Sequence, residues 1–127
     1  RYADVVAEVA EFLAERARDC LAAGMRQADI LLDPGFGFGK TPAHNWRLLR
    51  ELRALVDLGY PVLVGVSRKS TVAAALGTRT EDRLIGSVTA AALAAHEGAR
   101  LLRVHDVAQT KQALAIVEAF NGRQPRV

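Results

Sequence analysis

Three short apolar runs, beginning at Ile30, Pro61 and Arg100, set the frame of this chain: each is entered from a glycine (Gly24, Gly59, Gly98) and each breaks off into polar residues. The stretches between them have helical spacing. Alternation of this kind leaves room for a helix in every crossover, which makes the strands parallel and the class α/β. Residues 3 to 23 predict a first helix with Val5, Val6, Val9, Phe12, Leu13 and Ala17 on its apolar face. Ile30 to Leu32 is the first expected strand, and residues 43 to 57, with Trp46, Leu48, Leu49, Leu52 and Leu55, the second helix. Pro61 to Val66 is apolar throughout, the composition of a strand covered on both faces. Helices over about 69 to 76 and 81 to 97 follow, then a strand from Arg100 to Val104 and a last helix ended by Asn121-Gly122. Three parallel strands cannot close a barrel and leave two edges unpaired. The 127 residues therefore read as one part of a single larger domain.

The first strand runs into Asp33-Pro34-Gly35-Phe36-Gly37-Phe38-Gly39-Lys40-Thr41. Glycine at every second position frees the backbone for positive φ and for close approach to a ligand. Two familiar anion loops fail here. A phosphate-cradling loop needs a glycine five residues before Gly39, where Pro34 stands, and a dinucleotide fingerprint needs one at Lys40. What remains is a strand delivering Asp33 to its C-terminal edge, a short loop, and a helix capped by Thr41 with Pro42 in its first turn.

Composition narrows the function. Half the residues are apolar and 24% are charged, ordinary for a water-soluble globular chain, and no run is long or apolar enough to span a membrane. No secretory signal is legible, and one cysteine, Cys20, excludes a disulfide framework, which suits a reducing, cytoplasmic setting. The 17 basic residues comprise 14 Arg and only Lys40, Lys69 and Lys111. The arginines scatter along helices without interleaved aromatics, so no nucleic-acid surface is indicated. Two of the lysines follow strand ends, where a compact charge can serve a ligand.

Each strand ends in groups that a strand interior cannot use: Asp33, then Ser67-Arg68-Lys69-Ser70, then Arg103 and His105. C-terminal strand edges of parallel α/β folds share one rim, so these groups converge. An acid, a lysine, an arginine and a histidine on one rim suit a ligand that is both a hydrogen-bond donor and an anion. Singly, Asp33 could cap its loop, Arg103 could pair with Asp106, and His105 could be a spacer.

The three segments Leu32 to Lys40, Gly65 to Ser70 and Arg103 to Val107 resemble, in order, the last three strand-end motifs of dihydropteroate synthase. The resemblance implies an α/β parallel (β/α)8 TIM barrel of which residues 1–127 supply roughly the last three βα units. It also implies the reaction: p-aminobenzoate joined to 7,8-dihydropterin-6-ylmethyl diphosphate, releasing diphosphate with Mg2+ present, in folate biosynthesis. On this reading Asp33 grips the amino-pyrimidine edge of the pterin, Lys69 its carbonyl edge, and Arg103 stacks on it and holds diphosphate with His105. Phe38, Ser67 and Ser70 are expected at the aminobenzoate, and Lys69, Arg103 and His105 in the catalytic step. No metal ligand is expected within this chain; the Mg2+ contact belongs to an N-terminal loop of the family. The segment Thr71-Val72-Ala73 departs from the bulkier residues usual after the serine.

Two other readings compete: a pterin-binding methyltransferase, which has no aminobenzoate carboxylate to bind, and a non-catalytic paralogue used as a binding or assembly piece. Residues 84 to 95 carry no charge on any side of the expected helix. A helix apolar all round is buried all round, and family homodimers use helices of this region. A partner subunit is therefore expected over it, sensitive to Ala91→Glu or Ala92→Glu.

Overall fold

A computed structural model describes residues 2–67, 70–77 and 83–123. The elements are α1 (Val5–Ala22), a 3-10 turn (Gln27–Asp29), α2 (Pro42–Arg50), α3 (Arg53–Val56), β1 (Leu63–Val64), α4 (Ser70–Leu76), α5 (Leu84–His96), β2 (Leu101–Leu102) and α6 (Val107–Phe120). The expected first strand is reduced to a single parallel bridge, Leu32 with Val62, and β1 pairs in parallel with β2 through Leu63 with Leu101 and Val64 with Leu102. Three parallel segments thus lie side by side in chain order. Each is staggered along its neighbour, so few residues have partners and the paired strands are shorter than the apolar runs that contain them.

The register puts alternate residues on opposite faces. Ile30, Leu32, Val62, Val64 and Val66 are buried and pack with α1 to α5 through Val9, Leu48, Leu52, Leu55, Val72, Ala90 and Ala94. Leu31 and Leu101, of the other parity, are exposed, and Leu63 is half-buried. Of the two covers expected for Pro61 to Val66, these helices supply one. Among the described residues the helices cover one face only.

Helix boundaries follow their caps. Asp4 caps α1, accepting from the Ala7 N–H at 3.1 Å, and Val5, Val6, Val9, Leu13 and Ala17 are buried as expected. Phe12 is not; it stands at the edge of that stripe and is 62% exposed. Cys20 is half-buried against the core. The single helix expected over 43 to 57 is two, because the Leu52 N–H turns back to Leu49 O at 3.3 Å and the Ala54 N–H to Glu51 O at 3.0 Å. These tighter i to i−3 bonds rotate the chain between turns. Leu48, Leu49, Leu52 and Leu55 all still reach the core.

Candidate functional site at the strand ends

Side chains of Asp33, Lys40 and Asn45 help to hold the loop after Leu32. Asp33 Oδ1 accepts the Gly35 N–H at 2.9 Å, an Asx turn that stops the strand. Gly35, Gly37 and Gly39 take φ of +70°, +88° and +65°, which confirms why glycine recurs at alternate positions. Lys40 Nζ donates to Gly35 O at 3.0 Å and Phe38 O at 3.1 Å, strapping the loop from within. The Gly37 N–H donates to Asn45 Oδ1 at 3.0 Å. Phe36 is buried and anchors the loop, whereas Phe38, two residues on, is 73% exposed. Asp33 and Phe38 line a hollow of about 620 Å3 whose far wall is α1, with Glu8 and Phe12.

Thr41 and His44 close a capping box at the start of α2, with the His44 N–H donating to Thr41 Oγ1 at 3.1 Å and the Thr41 N–H to His44 Nδ1 at 3.2 Å. His44 also meets Tyr2 edge-on, with ring centroids 5.5 Å apart.

At the other two strand ends, Ser67 is buried and its Oγ lies 2.9 Å from His105 Nδ1 and 3.3 Å from the His105 backbone nitrogen. Arg103 and His105 are exposed and share a face, two residues apart. The Arg103 N–H donates to Val64 O at 3.0 Å, and a Cβ built on Gly65 would sit 3.5 Å from Arg103 Cβ and 3.8 Å from its Cδ. The arginine stem thus crosses the end of β1 at a residue with no side chain. Asp33, Ser67, Arg103 and His105 all have the parity of the uncovered face. Lys69 and Arg68 lie outside the described residues, as does the Ser70 side chain; Ser70 enters only as the first residue of α4.

Asn45 is a site residue that the sequence reading passed over. It is 2% exposed, accepts from the glycine loop at Gly37, and donates to Thr71 Oγ1 at 2.8 Å. Because a backbone N–H can only donate, the amide oxygen must face Gly37 and the NH2 must face Thr71. The signal was available: an asparagine three residues before Leu48 and four before Leu49 occupies a core position, where a polar side chain needs partners. Thr71, the departure from the family pattern, supplies one of them. Among the described residues, no three His, Cys, Asp or Glu side chains cluster as a metal site.

The described strand ends thus carry an acid at the first, a buried hydroxyl at the second, and a guanidinium and an imidazole at the third. The chain belongs to the pterin binding enzyme family, which it matches over residues 1–105. It is 45% identical over 118 residues to a dihydropteroate synthase of Haemophilus influenzae, covering 93% of this chain and 43% of that protein. A solved dihydropteroate synthase of Xanthomonas albilineans in complex with 7,8-dihydropteroate superposes with a TM-score of 0.93 at 49% identity, covering 98% of this chain and 48% of that one. A Mycobacterium bovis protein described as an inactive dihydropteroate synthase 2 is 42% identical over 122 residues, covering 96% of this chain and 37% of that protein. The chain spans about half the length of such relatives, and its units are those of a (β/α)8 barrel.

Proposed function

We propose that this chain forms the C-terminal strand-end half of a dihydropteroate synthase site. The observation that carries the reading is the placement of Asp33, Arg103 and His105 on the one strand face that the helices leave uncovered. Similarity to a protein solved with 7,8-dihydropteroate supports the ligand class. Asp33 accepts paired N–H bonds from the pterin's amino-pyrimidine edge; its Oδ1 keeps a second lone pair although Gly35 uses the first. Lys69 donates to the pterin's carbonyl edge. Arg103 and His105 bind the diphosphate, and Phe38 packs by the aminobenzoate ring with Ser70 near its carboxylate. The chemistry is substitution: the C–O bond to diphosphate breaks, the C–N bond to the aniline forms, and the nitrogen then loses its proton. These residues contribute alignment and stabilisation of leaving-group charge. Mg2+, held on this reading by the family's N-terminal loop, would add to the stabilisation of charge on the diphosphate.

The test is diphosphate release from the full-length protein given both substrates and Mg2+. The non-catalytic reading draws on the relative described as inactive, which is 42% identical to this chain; a full-length protein that binds the pterin but releases no diphosphate would establish it. The 127 residues by themselves should show no release, since the face bearing the site groups lies open to water and nothing opposite completes the pocket. A rate near that of the full-length protein would refute this.

The same reading includes a homodimer. Within the chain α5 buries Ser87, Ala90, Ala91 and Ala94, whereas Ile85 is 76% exposed and Leu93 half-exposed, so one side of this uncharged helix is left for a partner. On α6, Ile116 and Phe120 continue this apolar strip. A second copy is the proposed cover.

A further inference from the structure

Among the described residues the Ser67 hydroxyl has two contacts, both to one residue. Its Oγ is 3.3 Å from the His105 backbone nitrogen and 2.9 Å from Nδ1. The backbone N–H can only donate, so it takes one lone pair of the hydroxyl oxygen. The hydroxyl proton then needs an acceptor, because Ser67 is 6% exposed and a buried donor is rarely left unpaired. Among the described residues the acceptor in reach is Nδ1. A ring nitrogen that accepts carries no proton, so neutral His105 must hold its proton on Nε2, across the ring from Ser67.

We infer that Ser67 is a positioning residue that fixes His105 as the Nε2–H tautomer, so that the segment after β2 offers hydrogen-bond donors from both Arg103 and His105 to the departing diphosphate. The inference rests on the reading of the site given above and deepens it. Arg103, two residues earlier on the same exposed face, has donors and no acceptor. His105 matches it only in the Nε2–H form. The other tautomer would turn a lone pair toward phosphate oxygens. Ser67 thereby acts on the leaving group through His105, a role distinct from the aminobenzoate contact expected of it.

The first measurement needs no variant. In full-length protein labelled with 15N-histidine, at about pH 8.5 where an ordinary imidazole is neutral, long-range 15N–1H correlation reads the tautomer of each histidine, and loss of one set of signals in His105→Gln assigns that of His105. His105 should be Nε2–H; an Nδ1–H form overturns the inference and leaves the enzyme reading intact. Ser67→Ala should give a tautomer mixture and weaken inorganic diphosphate, the titrated probe, about five- to tenfold, the size expected for one hydrogen bond. Ser67→Thr, which keeps the hydroxyl, should retain both properties. The KM for 4-aminobenzoate should stay within about twofold, a readout that general loosening of the fold would move. An aminobenzoate KM that rises in Ser67→Ala while diphosphate affinity holds would place Ser67 at the other substrate and overturn the assignment. Native protein that binds neither diphosphate nor the pterin overturns the enzyme reading itself, and with it the ligand assigned to Nε2–H.

Discussion

In the proposed site two charged residues of the rim would meet different parts of the same substrate, and substitution separates them. Arg103 carries its guanidinium past Gly65 on an exposed stem, toward the end assigned to the leaving group. Arg103→Ala should weaken the pterin diphosphate ester by about 1.5 to 3 kcal/mol, the worth of a charged hydrogen bond, or roughly ten- to a hundredfold. The free hydroxymethyl pterin should bind nearly as before. Asp33→Asn should weaken both ligands alike, since an amide keeps one acceptor but opposes N–H to N–H at the second bond. Titration calorimetry of both ligands into both variants measures the four affinities; equal losses on Arg103→Ala would detach β2's end from the diphosphate. Gly86 shows a different residue-scale constraint. A Cβ there would lie 2.6 Å from Val72 Cγ1 and 2.9 Å from Leu76 Cδ1, both on α4. Gly86→Ala gains about 1 kcal/mol of helix propensity but overpacks a buried Val72, a cost of about 1 to 3 kcal/mol. A net loss of stability in denaturant unfolding is expected, relieved when Val72→Ala is added; a stabilised single variant would show that α4 yields.

Between elements, the bond that matters most to the site runs through Asn45. It joins the glycine loop to α2 by its oxygen and α2 to α4 by its NH2, so the elements that carry Phe38 and Ser70 share one buried amide. Asn45→Leu keeps the volume and removes both bonds. It should cost about 1 to 3 kcal/mol for the buried groups left unpaired and speed hydrogen exchange at the Gly37 amide. Thr71→Val should cost less and leave Gly37 protected, since it breaks only the second bond. Equal exchange at Gly37 in native protein and Asn45→Leu would mean that Lys40 and the Asx turn hold the loop unaided.

For the whole molecule, the open strand face and the apolar strip on α5 and α6 are two distinct surfaces awaiting cover. The strip includes a hollow of about 350 Å3 lined by Thr89, Leu93, His96, Ile116 and Phe120, with His96 and Phe120 edge-on at 5.4 Å. Ile85→Glu combined with Ile116→Glu changes exposed residues only and should convert the proposed dimer of the full-length protein to monomer by light scattering. Ala91→Glu is the wrong probe: at 3% exposure it would drive a charge into the chain's own core and unfold it. A dimer that survives both exposed charges would refute this interface.

Periodicity alone determined the order of helices and parallel strands, because amphipathic spacing is a local record of which side of each element faces a core. The motif Asp33 to Lys40 also determined its loop, since alternate glycines and an aspartate that caps its own turn need no distant partner. Other features came from packing between remote residues. The break between α2 and α3 left no mark on the apolar spacing, since Leu48, Leu49, Leu52 and Leu55 would share one face of an unbroken helix as well. Phe12, apolar and on the right face, stays exposed because nothing packs over the edge of its stripe. The neutrality of α5 marked it as buried, but only its neighbours α4 and α6 decide which side is inside. Asn45 to Thr71 spans 26 residues and Ser67 to His105 spans 38. Spacing reveals that such side chains exist; which hydroxyl meets which amide or ring nitrogen is decided only when the strands lie side by side.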